Sequence, residues 1–156
     1  MSASLINAEM LSLANMVINS IEPGPSGYGD TLTRLGAIFP QDTVVSAFDL
    51  LDRHNVIYHN TPWGHKEYQV IGQTATYAVF LDLIFGPIPF SCSCPAFTNY
   101  VLRDETHIMC KHILATLLGR KLGLCTEQAS TTDDLARLYC QQYPPELQPD
   151  PNAMQM

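Results

Sequence analysis

Phe90 to Leu122 reads FSCSCPAFTNYVLRDETHIMCKHILATLLGRKL, and two short pairs inside it, Cys92-Ser93-Cys94 and Cys110-Lys111-His112, decide how the rest is read. The pairs are separated by a loop of 15 residues, 95 to 109. Three thiols and an imidazole are the donor types that a tetrahedral zinc ion takes. A Cys-x-Cys pair in a turn or irregular strand aims both sulfurs at one point, and Pro95 ends the strand directly afterwards. The second pair falls where a helix begins. Residues two apart diverge inside a helix, but at the first turn one lies in the extended cap and the other in the helix, so both face one ion. The unpaired amides of that turn also favour thiolate over thiol.

Ordinary buried thiols and a core histidine have no reason to fall in two tight pairs at this spacing. The reading is therefore one Zn2+ held by Cys92, Cys94, Cys110 and His112. Four protein donors leave no position open, whereas catalytic zinc keeps one for water, so the metal is structural and no enzyme is expected. His107, in the loop, is the possible rival ligand. His54, His59 and His65 read as surface or strand histidines, Cys125 as a buried thiol and Cys140 as core on the last helix.

Working outward, Lys111 to Leu122 is a helix whose buried face is Ile113, Leu114, Leu117 and Leu118, closed by Gly123. Thr131 or Thr132 caps a last helix from Asp133 to about Gln142, with Asp134 placed for a capping box. Upstream, Val56–His59, Glu67–Ile71 and Ala75–Leu83 are aromatic and β-branched runs between Gly, Pro and Asn clusters, which predicts a meander of three strands. Thr31–Phe39 and Thr43–Arg53 read as helices, the second capped by Asp42. Residues 5 to 21 form an apolar helix with Glu9 as its one charge. Such a helix must bury most of its surface, on its own domain or on another protein. Leu5, Met10, Leu13 and Val17 are the residues expected to contribute to a partner contact or to self-association.

The predicted fold class is α+β: N-terminal helices, a small antiparallel β-meander, a zinc knuckle and C-terminal helices. The expected organisation is an N-terminal helix (1–21), a Pro/Gly linker (22–30), a zinc-bearing domain with flanking helices (31–142) and a disordered tail (143–156).

Composition narrows the function. The chain of 156 residues has 15 acidic and 8 basic residues and a formal net charge of −7. Its longest basic run is Arg120-Lys121, so no basic stripe suited to gripping nucleic acid unaided is present. The five cysteines are odd in number and absent from the first 91 residues, which fits metal-bound thiolates in a reducing compartment rather than a secreted disulfide framework. No apolar run approaches the about 18 residues of a membrane span, and no secretory signal pattern is expected at the N-terminus.

The ligand pairs, their spacer, and Ala115 three residues after the histidine resemble the SWIM zinc finger pattern. Residues 42–56, 68–72, 92–97, 101–103 and 110–115 extend the likeness to the SWIM-domain subunits of Shu complexes, over roughly residues 30 to 140. That resemblance implies a non-enzymatic mediator of homologous recombination in DNA repair, with a nuclear location. It implies pairing with a RecA-like recombinase paralogue in a heterodimer or larger complex. Together they would promote recombinase filaments on single-stranded DNA, with DNA contacted through the partners. It also makes Ala115 a motif residue, where a side chain beyond Cβ would push the helix off its neighbours.

Three other functions compete. His65-Lys66-Glu67 resembles half of a zinc deaminase signature, but Cys92-Ser93-Cys94 does not supply the other half. Phe97, Tyr100 and Arg103, with Lys111 and Arg120, would serve a direct single-stranded nucleic-acid finger, against the net charge. A generic zinc-stabilised adaptor is the third.

Overall fold

The computed structural model describes residues 2–22, 29–64, 66–84 and 86–142, with backbone alone at 2–7 and 142. Residues 23–28 of the expected linker, His65 and the expected tail 143–156 lie outside the described residues, as does the side chain of Leu5. In chain order the helices are α1 (Ser2–Ser20), α2 (Gly29–Gly36), α3 (Gln41–Asp52), a π-helical segment (Phe97–Arg103), α4 (Lys111–Leu122) and α5 (Thr132–Gln142). The strands are β1 (Val56–Asn60), β2 (Lys66–Ile71), β3 (Thr76–Phe80), β4 (Ser91–Cys92) and β5 (Thr126–Ala129). The fold class is α+β.

The predicted meander is present as β1, β2 and β3, paired antiparallel. The sheet is larger and mixed: β4 joins β3 antiparallel and β5 joins β1 in parallel, giving the order β4-β3-β2-β1-β5. Because strand side chains alternate between faces, the register divides the sheet cleanly. Val56 opposite Val70, Tyr58 opposite Tyr68, and Val79 opposite both Tyr68 and Cys92 share one face. α4 covers that face, with Ile113, Leu114, Ala115 and Leu118 buried along it and α3 and α1 packed beside it. Ala78 points to the other face, where α5 packs on β3 with Leu135 and Leu138 buried.

Local chemistry sets the ends of these elements. Gly123 stops α4 by taking φ +69, where a side chain would be strained, and Leu124 N–H closes onto Gly119 O at 2.8 Å. The Thr131–Asp134 capping box forms as predicted: Thr131 N–H donates to Asp134 Oδ2 (2.9 Å) and Asp134 N–H to Thr131 Oγ1 (3.2 Å). Asp42 does not cap α3. Pro40 occupies the cap, its carbonyl accepting from Thr43 and Val44, and Asp42 sits inside the first turn. Proline's locked φ and missing N–H suit the start of a helix, and an acidic group one turn in still meets the positive end of the dipole.

α1 divides its surface. Ala14, Ile18 and Ile21 are buried, and Val17 packs partly against the core. Met10 is half-buried, while Leu13 is 45% exposed and Met16 67%. No helix among the described residues is long and apolar enough to cross a membrane.

Candidate metal centre

β4 is only two residues long, and its place is set by β3. Cys92 lies opposite Val79, which turns its sulfur toward α4. Ser93 is then clamped to the same strand: its N–H donates to Ala78 O (3.1 Å) and its Oγ accepts from Ala78 N–H (3.0 Å). With the middle residue held outward, Cys92 and Cys94 both face inward. Beyond Pro95 the chain turns into the π-helical segment, and Phe97 N–H donates to Cys94 Sγ at 3.3 Å. Cys110 occupies the extended N-cap of α4 (φ −82, ψ 166) and His112 its first turn, the arrangement that the Cys-x-His spacing predicts.

The ligand atoms of Cys92, Cys94, Cys110 and His112 all lie within 4.8 Å of one another, and all four residues are buried. His112 Nδ1 is 3.9 Å from Cys92 Sγ. A tetrahedral zinc with bonds of about 2.3 Å to sulfur and about 2.0–2.1 Å to nitrogen spans a gap of that size. Tyr77, on the same face of β3, lies against the imidazole with ring centroids 4.6 Å apart, which fixes its plane.

The thiols perturb one another as metal donors do. Cys94 is held far below the ordinary thiol range, first by protons offered from Cys110 and Cys92 and then by His112 and the Phe97 amide. Cys92 is pushed far above it by its contacts with Cys110 and Cys94, and by burial. Contact with Cys92 pulls Cys110 down, but contact with Cys94 and burial push it up, to about 12. One thiolate is thus tolerated by itself, and two further negative charges need a cation between them. The residues fit a single zinc ion. Bound there, zinc would supply cross-linking of β4 to α4, with no coordination position left over.

Among the described residues no other cluster gathers around these four. His107 is elsewhere engaged: its ring lies 5.2 Å from Tyr100 and its Nδ1 is 3.0 Å from Thr106 Oγ1. Cys125 is half-buried, its burial raising the thiol to about 11. Cys140 is exposed, contrary to the core position expected, because α5 buries Leu135 and Leu138 instead. Ala115 is fully buried. Phe97 is also buried and takes no part in a stacking surface, while Tyr100 is 49% exposed. Arg103 is matched to Asp104 at 3.0 Å.

Sequence reasoning missed a polar clasp on the second sheet face. His59 is 4% exposed, its Nδ1 2.7 Å from Ser130 Oγ and its Nε2 2.9 Å from Gln69 Oε1. Glu67, directly opposite on β2, is fully buried. The available signal was weak: His59 and Glu67 each sit on strands, but Ser130 is 71 residues away from His59.

Residues 77–119 match the SWIM zinc finger family, a stretch that takes in most of β3, both ligand pairs and most of α4. A zebrafish (Danio rerio) protein named zinc finger SWIM domain-containing protein 7 is 33% identical over 99 residues, 63% of this chain and 66% of the relative. The human (Homo sapiens) protein of that name is 36% identical over 92 residues, 58% of this chain and 61% of the relative. The mouse (Mus musculus) protein is 36% identical over 86 residues, covering 54% and 53%. The chain thus spans between about half and two thirds of the length of these curated relatives. No solved structure matches significantly. The chain is a SWIM zinc finger protein, homologous to the proteins named zinc finger SWIM domain-containing protein 7.

Proposed function

We propose that this chain is a non-enzymatic subunit of a Shu-type complex. In this reading it pairs with a RecA-like recombinase paralogue in the nucleus and promotes recombinase filament assembly on single-stranded DNA during homologous recombination and repair. The observation that carries the reading is the closed, buried set of three thiols and one imidazole, which builds architecture and leaves no position for a reactant. Two further facts support it. Similarity to the zebrafish relative runs over 99 residues, well past the 77–119 finger, so the flanking segments share the likeness. The net charge of −7 suits a protein that reaches DNA through partners. A direct nucleic-acid finger is less favoured, since Phe97 is buried and Arg103 already neutralised.

The test is affinity purification of the native protein with mass spectrometry, followed by filament assays with the purified pair. A RecA-like ATPase should co-purify, and the pair should speed recombinase nucleation on single-stranded DNA. Co-purification of unrelated proteins only, or tight salt-sensitive DNA binding by the isolated chain, would overturn the reading. Leu13→Asp on the exposed side of α1 should weaken that co-purification or alter the oligomeric state.

A further inference from the structure

Between α1 and the π-helical segment lies an apolar groove of about 290 Å³. Its walls include Leu11, Ile88, Val101, Leu102 and Ile108, and Glu105 supplies the carboxylate. We propose that this groove receives one large apolar side chain of a partner protein that carries a lysine or arginine next to it in sequence. The proposal rests on the reading that this chain works by holding another protein.

Three observations converge. The groove falls just short of the about 300–1,000 Å³ of small-molecule pockets, and its ionisable lining is Glu105 and His107, so a single anchor side chain suits it better than a cofactor. Its mouth is apolar and open, since Leu102 is 52% exposed beside the buried Val101. Its backbone is unusual and held. A π-helical run is rare and frequent at functional sites. Tyr100 O, within that run, accepts from Thr106 N–H (2.9 Å), His107 N–H (3.0 Å) and Thr106 Oγ1 (3.3 Å). This turn keeps Glu105 at φ +53, a conformation that disfavours side chains, on the groove wall.

Charge selects the occupant. Asp104 is matched by Arg103 at 3.0 Å, but Glu105 has no ion-pair partner among the described residues. A ligand that covers this carboxylate must offer a cation, or the desolvated charge is left uncompensated. The chain's own C-terminal residues bring Glu146 and Asp150 and no Lys or Arg after Arg137. A second copy brings another net charge of −7. Both meet like charge, whereas a basic-flanked apolar segment of another protein does not.

The experiment selects a random peptide library, displayed on phage, against the zinc-loaded full chain. A selected peptide is then synthesised with a fluorescent label and titrated by anisotropy. The expected consensus is an aromatic or large aliphatic residue beside Lys or Arg. Leu102→Glu and Glu105→Lys should each weaken that peptide about tenfold or more. Trp63→Ala, at the exposed β1–β2 turn, should leave it unchanged. Both groove variants change exposed residues, and unchanged zinc content and circular dichroism verify their folding. A consensus without a base, no consensus at all, or binding insensitive to both groove variants overturns the proposal. So does a wild-type dimer in sedimentation that Leu102→Glu dissociates, which makes the groove a self-interface. Tighter peptide binding after deletion of residues 143–156 overturns it as well, by making that segment the occupant. If peptides fail while the native chain still brings down a RecA-like protein, the functional reading stands and the contact lies elsewhere.

Discussion

Replacing each cysteine by serine, one at a time, asks the same chemical question in different surroundings. At Cys110 the change removes a donor from the N-cap of α4, where its sulfur faces those of Cys92 and Cys94. A hydroxyl does not ionise near neutral pH and is a poor zinc ligand. Structural zinc in finger peptides contributes about 10–16 kcal/mol, against about 5–15 kcal/mol for the whole stability of a typical domain. Losing even a third of that, on the order of 3–5 kcal/mol, would consume much of the margin. With a urea slope of about 2 kcal/mol/M, the midpoint should fall by about 2 M, or the C-terminal half should be unfolded at the outset. Cys92→Ser and Cys94→Ser should behave alike. Cys125→Ser, half-buried against Gly119, should cost about 1 kcal/mol, and Cys140→Ser, exposed on α5, less than about 0.5 kcal/mol. Urea titration followed by circular dichroism at one equivalent of zinc reads all five. A Cys110→Ser protein as stable as the Cys140→Ser protein would mean that Cys110 holds no structural metal.

The metal site should also be pH-dependent, with opposite signs in its two forms. Zinc must displace protons from the raised thiols Cys92 and Cys110, so affinity should fall by about a hundredfold per unit as pH drops below neutral, checked by competition with a chromogenic chelator. In the metal-free protein the thiols of Cys92 and Cys110 are both raised, so the stability they contribute is present at neutral pH and lost as pH rises past the ordinary thiol range. Alkaline titration should therefore unfold the metal-free form before the zinc form. Gly119→Ala places a Cβ 2.9 Å from both Leu51 Cδ2 and Cys125 Sγ. Both atoms are side-chain ends that can give way, so the overlap should cost about 1 kcal/mol, offset by a helix-propensity gain of about 1 kcal/mol, and thermal melting should show little net change. Ser130→Ala leaves the buried His59 Nδ1 without its partner and should cost about 1–3 kcal/mol by urea titration, whereas Ser130→Thr should retain part of it.

Legibility followed how locally each feature is encoded. α4 was readable end to end because a ligand pair opens it, an apolar stripe fills it and Gly123 closes it. The three central strands and the Thr131–Asp134 box also carry their signals within a few residues. β5 was not readable. Thr126-Glu127-Gln128-Ala129 has no alternation and is exposed throughout, and it is a strand only because its backbone runs parallel to β1. The π-helical segment was hidden for a related reason: Pro95 and the ligand spacing suggest a loop, and the turn beyond it is held by backbone bonds to Asn99 O and Tyr100 O. At the metal site itself the four donors were legible. The tyrosine behind His112 and the Ser93–Ala78 clamp were not, since both depend on the register of β3 and β4.

A closed zinc site of three sulfurs and one nitrogen has a direct signature in X-ray absorption at the zinc edge, measured on the purified full chain. Metal analysis should give one zinc per chain, and the spectrum three sulfurs at about 2.3 Å, one imidazole nitrogen at about 2.0–2.1 Å and no oxygen neighbour. A spectrum that requires a bound water, or fewer than three sulfurs, would rule out the closed site.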